Sequence, residues 1–281
     1  MDRGCAELER LGYTLKLDRD EVLARHGFFA GPAEARCAAL KNAIAETNTR
    51  AIICTRGGYG SNYLLDCLRL EATAPKILCG FSDITSLHAY LWQKFHWVTV
   101  HGPMVAVGLD HGAEAPEGYE RESFVRALTE SKRGWSIALK GESIIQGSAE
   151  GTLLGGCLNL VEATLGTAWE LDTRGSILIL EDRAMKPWQV DRALMHLKQA
   201  GKLREVAGLV LGDFPESNPP QGTESVKDVA RRILAPIGIP IVFGSPIGHT
   251  SRPMLTLPLG IQARLSADGE GKLEILEPAC S

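Results

Sequence analysis

The first hundred residues alternate short β-rich runs with helical stretches, and this alternation is the feature that most constrains the fold. Strands are predicted over 13–17, 51–54, 77–79 and 98–100, and helices over 4–11, from Pro32 onward and over 83–94. Strands that alternate with helices build a parallel sheet flanked by helices. The sequence therefore predicts an α/β domain in this part of the chain.

The amino-acid composition changes near residue 110. Residues 108–148 are richer in glycine, charged and polar side chains, which is typical of a crossover between domains. Beyond them, strands are predicted over 177–180, 209–211, 241–244 and 255–257, helices over 190–200 and 226–234, and a hairpin over 261–276. We therefore predict an N-terminal domain over 1–110, a crossover over 111–148 and a C-terminal β-rich domain over 149–281.

Charge and cysteine usage narrow the class of protein. The chain has 30 Lys and Arg against 34 Asp and Glu, a net charge of −4, so it lacks the basic field that nucleic acid or an anionic membrane requires. None of its apolar runs reaches the ~18 residues of a membrane span. Its seven cysteines, at 5, 37, 54, 67, 79, 157 and 280, form no CxxC pair and are predicted to be reduced core residues. We expect a cytoplasmic protein that binds neither nucleic acid nor membrane.

Ser82 stands at a predicted strand-to-helix turn, in the sequence Gly80-Phe81-Ser82-Asp83. A serine at such a turn has an exposed hydroxyl, and the backbone N–H groups after it point at whatever that hydroxyl attacks. The motif lacks the second glycine of a full nucleophile elbow because Ile84 stands there. A serine before a helix is also a common N-cap, so the fragment alone leaves both interpretations open.

The loop Arg56-Gly57-Gly58-Tyr59-Gly60 follows a predicted buried strand. Its glycines let backbone N–H groups approach a negative charge, such as an oxyanion or a substrate carboxylate. The alternative is a tight turn without a ligand. The spacing of the glycines fits neither the dinucleotide nor the P-loop pattern, so the sequence does not favour a nucleotide site.

Two further residues lie where a site can form. Glu181 ends the predicted strand SILIL, at a sheet edge where α/β proteins place their sites, although a solvated loop edge is an alternative. His249 lies in the loop GSPIGHTSRP, which suits either an accessible general base or an ordinary surface histidine. His96 and His101 lack the helical i, i+4 spacing of metal ligands, so no metal site is predicted.

Taken together, six segments resemble the LD-carboxypeptidase family of serine peptidases. In chain order they are RGGYGSNYLLD, PKILCGFSDITSLH, HGPM, GTLLGGCLNL, ILILEDR and FGSPIGHTSRPMLTLPLG, and the similarity runs from about residue 4 to residue 276. Six motifs in one order are far more specific than any one of them. The resemblance implies a Rossmann- or flavodoxin-like N-terminal domain and a smaller, β-rich C-terminal domain of the swivelling β/β/α type.

The resemblance also implies roles for individual residues. Ser82 is expected to be the nucleophile, His249 the general base and Glu181 the group that orients the imidazole. The backbone N–H groups of Asp83 and Gly58 are expected to form the oxyanion hole. By their chemistry, the Arg56 guanidinium and the neighbouring Gly57 amide are candidates to bind a substrate carboxylate.

The activity implied by the resemblance is hydrolysis of the bond between an L-diamino acid and a terminal D-Ala in murein tetrapeptides. Such enzymes recycle cell-wall fragments in the cytoplasm, need no cofactor or metal, and often form homodimers. A small peptide is thus the expected partner.

The chain departs from the family pattern in two places. Family members usually begin with an apolar strand that ends in an Ala-Pro-Ser-like turn, whereas this sequence starts at the first helix, so we expect its sheet neighbours to expose apolar surface. In the segment AMKPWQVDR, Lys186 and Trp188 stand where the family more often has an acidic residue and a tyrosine. The second difference bears on substrate preference.

Three alternatives stay open on the sequence. The first is a microcin-C-immunity-like hydrolase that cleaves peptidyl or aminoacyl nucleotides. The second is an inactive peptide-binding homologue, suggested by the absent first strand. The third is a nucleotide-binding α/β module that uses the loop at Gly57 and Gly58.

Overall fold

The computed structural model describes residues 1–70 and 74–279. Its helices are α1 (Asp2–Arg10), α2 (Arg19–Leu23), α3 (Ala33–Ala45), α4 (Asn62–Leu65), α5 (Thr85–Phe95), α6 (Arg121–Thr129), α7 (Leu158–Ala163), α8 (Pro187–Gln199) and α9 (Val226–Leu234). Its strands are β1 (Ala51–Ile53), β2 (Ile77–Gly80), β3 (Thr99–His101), β4 (Trp135–Ala138), β5 (Glu142–Ile145), β6 (Gly147–Cys157), β7 (Ser176–Glu181), β8 (Gly208–Gly212), β9 (Ile241–Ser245), β10 (Leu257–Leu259), β11 (Gln262–Ala267) and β12 (Lys272–Ile275). Short 3₁₀ turns cover Ser82–Ile84 and Ala235–Ile237. None of these helices is long and apolar enough to cross a membrane.

The N-terminal sheet has four strands in the order β1-β2-β3-β10. The first three are parallel, and β10 pairs antiparallel with β3 although it comes from near the end of the chain. Parallel strands bring their carboxyl ends to one edge, so the loops that follow β1, β2 and β3 lie side by side. This arrangement gathers the loop with Gly57, the turn with Ser82 and the segment after His101.

The C-terminal sheet has eight strands in the order β4-β12-β11-β6-β7-β8-β9-β5. Its centre, β6 to β9, is parallel, and its two sides are antiparallel. Every residue of β7 is buried because β7 lies between β6 and β8 and packs on both faces. Continuous burial explains the unbroken apolar run SILIL, which places Glu181 at the carboxyl end of a central strand.

The predicted fold class is confirmed: the chain is a mixed α/β protein with two sheets. The C-terminal sheet has more strands than the N-terminal one, and the crossover residues 111–148 contribute β4 and β5 at its two edges. The β10 strand joins the N-terminal sheet from the other side of the crossover. The domain boundaries at 110 and 148 stay a prediction.

Two sequence predictions near the N-terminus are wrong. Residues 13–17 do not form a strand, and Tyr13 and Leu15 instead pack partly buried against the core. The predicted buried strand at 51–54 is an outer strand: Ala51 is exposed, and Ile52 and Ile53 are half-buried. The β1 strand lies at the edge of its sheet because it pairs only with β2 within the described chain.

The expectation that all cysteines are reduced is also wrong. Cys37 in α3 and Cys67, just after α4, form a disulfide, because the packing of α3 on α4 brings their Cα atoms within 6.5 Å. Spacing along the sequence does not reveal such a pairing. Thiols remain free at Cys5, Cys54, Cys79 and Cys157, while Cys280 lies outside the described residues.

Glycines on β6 allow the two halves of the molecule to approach each other. A Cβ atom at Gly155 would lie 2.0 Å from the backbone oxygen of Ile179 on β7, and one at Gly156 would lie 2.5 Å from the hydroxyl oxygen of Thr85. Both glycines have positive φ. The Thr85 hydroxyl also accepts a hydrogen bond from the Cys157 backbone N–H at 3.0 Å. The start of α5 is therefore fixed against the carboxyl end of β6.

We expect Gly155→Ala to lower the free energy of unfolding by about 3 kcal/mol or more, because its Cβ would collide with backbone rather than with a movable side chain. Gly166→Ala is the matched control, since Gly166 also has positive φ but open space around its Cβ position. Backbone strain alone should cost about 1 kcal/mol there. Urea unfolding measures both; equal losses would contradict the close contact between β6 and β7.

Candidate active site

Ser82 occupies a strained turn between β2 and α5. Its φ is +61°, a left-handed conformation that costs a non-glycine residue about 1 kcal/mol or more. Its side chain is half-buried and forms no hydrogen bond within the described residues. An N-cap serine has extended φ and a hydroxyl that binds the first helical turn, so Ser82 is not an N-cap. The geometry is instead typical of a nucleophile elbow.

The glycine loop after β1 lies directly against this turn. A Cβ atom at Gly57 would lie 2.9 Å from Ser82 Cβ and 3.2 Å from Ser82 Oγ, so only glycine allows the loop backbone to come this close. Gly58 follows with a φ of +111° and open space at its Cβ position. The Arg56 side chain is exposed and forms no ion pair within the described chain. The loop backbone at Gly57 thus lies directly against Ser82.

The Asp83 carboxylate fastens the loop to the serine turn. This buried side chain accepts hydrogen bonds from both the backbone N–H and the hydroxyl of Ser61, each at 2.8 Å. At the same end of the loop, Arg36 donates to the carbonyl of the adjacent Gly60 at 3.1 Å. Because the side chain of Asp83 is used in this way, its backbone N–H is held in place after Ser82.

Glu181 and His249 form a buried pair. The carboxylate oxygen Oε2 accepts from His249 Nδ1 at 2.8 Å and from the His249 backbone N–H at 2.9 Å. The Glu181 side chain is fully buried and the His249 side chain is 13% exposed. A carboxylate bound to Nδ1 holds the proton there and leaves Nε2 as the basic nitrogen. The pair therefore has the arrangement of the acid and base of a catalytic triad.

The glycine before His249 is required for this contact. A Cβ atom at Gly248 would lie 2.2 Å from the carboxyl carbon of Glu181, and Gly248 has a φ of +59°. The residues that follow His249 in the loop are also held in place. Asp213, which follows β8, accepts from Arg252 at 2.5 Å and also binds the hydroxyl of Thr250. His249 is thus fixed on both sides along the chain.

The charges of the pair stabilise each other. Burial alone would raise the pKa of Glu181, but the charge of His249 and its hydrogen bonds outweigh burial and hold that pKa below its usual value. Burial alone would lower the pKa of His249, yet the charge and hydrogen bond of Glu181 raise it overall.

The neighbouring Asp182 has its pKa raised by burial and accepts a hydrogen bond from the backbone N–H of Asn159 at the start of α7.

The serine turn and the carboxylate–imidazole pair meet around Phe81. The Phe81 ring is next to Ser82 in the chain and contacts the His249 ring edge to face, with centroids 5.1 Å apart. On β6, Cys157 pairs with Glu181 in the sheet and binds Thr85 at the start of α5. The structure thus brings Glu181 and His249 into direct contact, while Ser82 and His249 are not hydrogen-bonded to each other.

Several residues of the site were missed by the sequence analysis: Ser61, Thr85, Cys157, Asp213 and Gly248. Only the glycine had a visible signal, since it sits immediately before a candidate base. The ligand atoms of Cys157, Glu181 and His249 all lie within 4.8 Å of one another. Burial raises the pKa of the Cys157 thiol far above its usual value, so the thiol stays protonated.

Two other buried histidines affect stability at low pH. Burial lowers the pKa of His88 to about 3 and that of His101 to about 4, from an ordinary value of 6.5. Both stay neutral in the folded protein while the unfolded chain takes up a proton at each. His249 has a raised pKa, so its contribution to the free energy of unfolding is fully present below pH 6.5. Glu181 has a lowered pKa, so its contribution is present above pH 4.5, the ordinary pKa of a glutamate. Between pH 4.5 and pH 6.5, neither group therefore makes the free energy of unfolding depend on pH.

We expect the free energy of unfolding to fall by about 2 to 3 kcal/mol per pH unit as the pH drops from 6 to 5, corresponding to two protons. His88→Gln should halve this slope, because the glutamine keeps a donor for the Gly80 carbonyl, which His88 Nε2 contacts at 2.9 Å, but does not titrate. Urea unfolding at several pH values measures the slope. An unchanged slope in the variant would contradict a neutral His88.

Comparison with known proteins agrees with this class of site. The family model of the LD-carboxypeptidase N-terminal domain matches residues 1–102, and that of the C-terminal domain matches residues 150–265. A probable murein peptide carboxypeptidase from Bacillus subtilis (strain 168) is 34% identical over 271 residues, which are 95% of this chain and 84% of that protein.

Two solved structures share the whole fold. The muramoyltetrapeptide carboxypeptidase from Oxalobacter formigenes superimposes with a TM-score of 0.81 at 27% identity, over 98% of this chain and 94% of the other. The structure of MccF in complex with glutamyl sulfamoyl guanosine gives a TM-score of 0.84 at 25% identity, over 100% and 91% of the two chains.

The fold and the site define a hydrolase of the serine peptidase type. The chain belongs to the LD-carboxypeptidase family. The resemblance stated from its six motifs is thereby confirmed.

Proposed function

We propose that this enzyme is a serine carboxypeptidase that removes the terminal D-Ala from murein tetrapeptides. The observation that carries the proposal is the buried Glu181–His249 pair beside a serine in a strained strand-to-helix turn. The relative from Bacillus subtilis and the structure from Oxalobacter formigenes are named for murein peptides, which supports the substrate class.

In this mechanism Ser82 attacks the carbonyl carbon of the scissile amide. His249 Nε2 takes the serine proton and passes it to the leaving D-Ala amine as the amide bond breaks, which leaves an acyl ester on Ser82. Water then gives a proton to the same imidazole and attacks the ester; the proton returns to Ser82 as the new carboxylate leaves, while Glu181 holds Nδ1–H throughout. The raised pKa of His249 fits a base that carries positive charge during the reaction. Ser82 and His249 need to move closer, as is common where hydrogen bonds tighten only once substrate is bound.

The backbone N–H groups of Asp83 and Gly58 are our candidates for the oxyanion hole. Asp83 directly follows Ser82, and its side chain is fixed by Ser61. Gly58 follows Gly57, which lies against Ser82. Loss of one such donor typically costs about 3 kcal/mol of transition-state stabilisation. Arg56 and the Gly57 amide are proposed to bind the carboxylate of the terminal D-Ala, since the guanidinium is exposed and forms no ion pair in the described chain.

We expect wild-type enzyme to release free D-Ala from a murein tetrapeptide and Ser82→Ala to lower kcat by about 10⁴-fold or more, because the nucleophile is lost. Mass spectrometry of the released amino acid measures turnover. Ser148→Ala serves as control, since Ser148 lies at the opposite end of β6 from Cys157 and its hydroxyl donates to the Leu265 carbonyl at 3.1 Å, its one hydrogen bond among the described residues. Full activity of a folded Ser82→Ala variant would remove Ser82 from the mechanism.

A second candidate substrate is an aminoacyl or peptidyl nucleotide, as cleaved by a microcin-immunity-like enzyme. It is favoured by the similarity to MccF, whose structure holds glutamyl sulfamoyl guanosine. The exposed Trp188 ring, with the Arg192 guanidinium 5.3 Å from its centroid, offers a surface on which a nucleobase could stack. Parallel assays with processed microcin and a murein tetrapeptide separate the two substrates.

Location and assembly are also proposals. A cytoplasmic place of action is supported by the murein recycling that the family resemblance implies, whereas the Cys37–Cys67 disulfide is more typical of an oxidising compartment. The homodimer implied by the family resemblance is checked by light scattering of the purified chain. A monomer with full activity would show that the site is complete in one copy.

A further inference from the structure

The two oxygens of the Glu181 carboxylate lie in unlike surroundings. Oε2 accepts both hydrogen bonds from His249. Oε1 is fully buried and has no hydrogen-bond partner within residues 1–70 and 74–279. Buried polar atoms are almost always satisfied, and a charged oxygen needs a donor most of all. The surroundings of Oε1 should therefore contain a donor that serves it.

His101 is the group that faces this oxygen. Its Nε2 atom lies 3.9 Å from Glu181 Oε1, and neither ring nitrogen has a hydrogen-bond partner in the described chain. The residue ends β3, where it pairs with Gly80 on β2 and with Leu257 on β10, so its backbone is held from two sides. His101 Nε2 and Glu181 Oε1 are thus both fully buried and both without a partner among the described residues. Their separation is about 1 Å longer than a hydrogen bond.

The protonation state of His101 suits a donor. Burial lowers its pKa to about 4, although Glu181 opposes the shift, so the imidazole is neutral near pH 7. A neutral ring can donate from Nε2 without becoming a second cation that competes with His249 for the carboxylate. The titratable or charged groups that face His101 and His249 from neighbouring elements are His88, Cys157, Glu181, Asp182 and Arg183.

We propose that His101 is a positioning residue, which donates Nε2–H to Glu181 Oε1 and so fixes the carboxylate that orients His249. Its effect on turnover rests on the proposed carboxypeptidase function, whereas its effect on the pKa of His249 does not. The competing view is that His101 only packs, since its ring also lies against Phe81 with centroids 6.1 Å apart.

Two amide variants separate donation from packing. In His101→Gln the side-chain amide reaches the position of Nε2 and can still donate to Glu181, whereas in His101→Asn it reaches only the position of Nδ1. His88→Gln is the control, because His88 is the other buried neutral histidine beside this ring and does not face Glu181. Circular dichroism and urea unfolding establish which variants are folded at the assay temperature.

The readouts are the pH profile of D-Ala release and the pKa of His249 from ¹⁵N NMR of the imidazoles. For His101→Asn we expect kcat to fall about tenfold or more with little change in KM, as is typical when a residue behind a functional group is lost. The acid limb of kcat/KM and the pKa of His249 should both move to higher pH, because an unbound Oε1 leaves more charge on the carboxylate. His101→Gln and His88→Gln should stay near wild type in both.

The outcomes distinguish this inference from the proposed function. Equal losses in folded His101→Gln and His101→Asn, or an unchanged pKa of His249 in His101→Asn, would overturn the positioning role. If the wild-type enzyme releases no D-Ala, the proposed substrate is wrong. The pKa of His249 in wild type and in His101→Asn, measured by NMR, would still decide the role of His101. Should His101→Asn fail to fold, rescue by His101→Gln of both folding and the pKa of His249 supports donation.

Discussion

The buried charge of Glu181 is the interaction on which the rest of the site depends. A buried carboxylate at the carboxyl end of a central strand is stable only when it is hydrogen-bonded, and His249 supplies two hydrogen bonds to it. Gly248 lets the loop backbone approach, and the ion pair of Asp213 with Arg252 holds that loop in place. The position of the His249 imidazole is thus set by the needs of one buried carboxylate.

The serine side is built on a separate principle, which is backbone strain held by tertiary contacts. Ser82 has a left-handed conformation that persists because the neighbouring groups are fixed. Asp83 is bonded to Ser61, and Thr85 is bonded to the backbone of Cys157. The contact between Thr85 and Cys157 joins α5 to β6 of the C-terminal sheet. The two halves of the site are therefore aligned by hydrogen bonds that do not take part in the chemistry themselves.

The alternation of strands and helices predicted the α/β class and most element positions, since period-2 and period-3.6 patterns follow directly from burial. It predicted a strand over 13–17 where none forms, and it did not predict that β10 returns to the N-terminal sheet, because pairing over long sequence distances leaves no local pattern. The candidate residues Ser82, Glu181 and His249 could be found from motif order. Their supports could not, because Ser61 and Asp213 contribute through hydrogen bonds that only the folded chain reveals.

The central claim is that Ser82 is made nucleophilic by His249. Covalent labelling by a fluorophosphonate, followed by peptide mapping of wild type and His249→Ala, tests this most directly because it needs no knowledge of the substrate. The account predicts one label per chain, on Ser82, in wild type and almost none in the folded variant. Labelling of another serine, or equal labelling of Ser82 in both proteins, would contradict it.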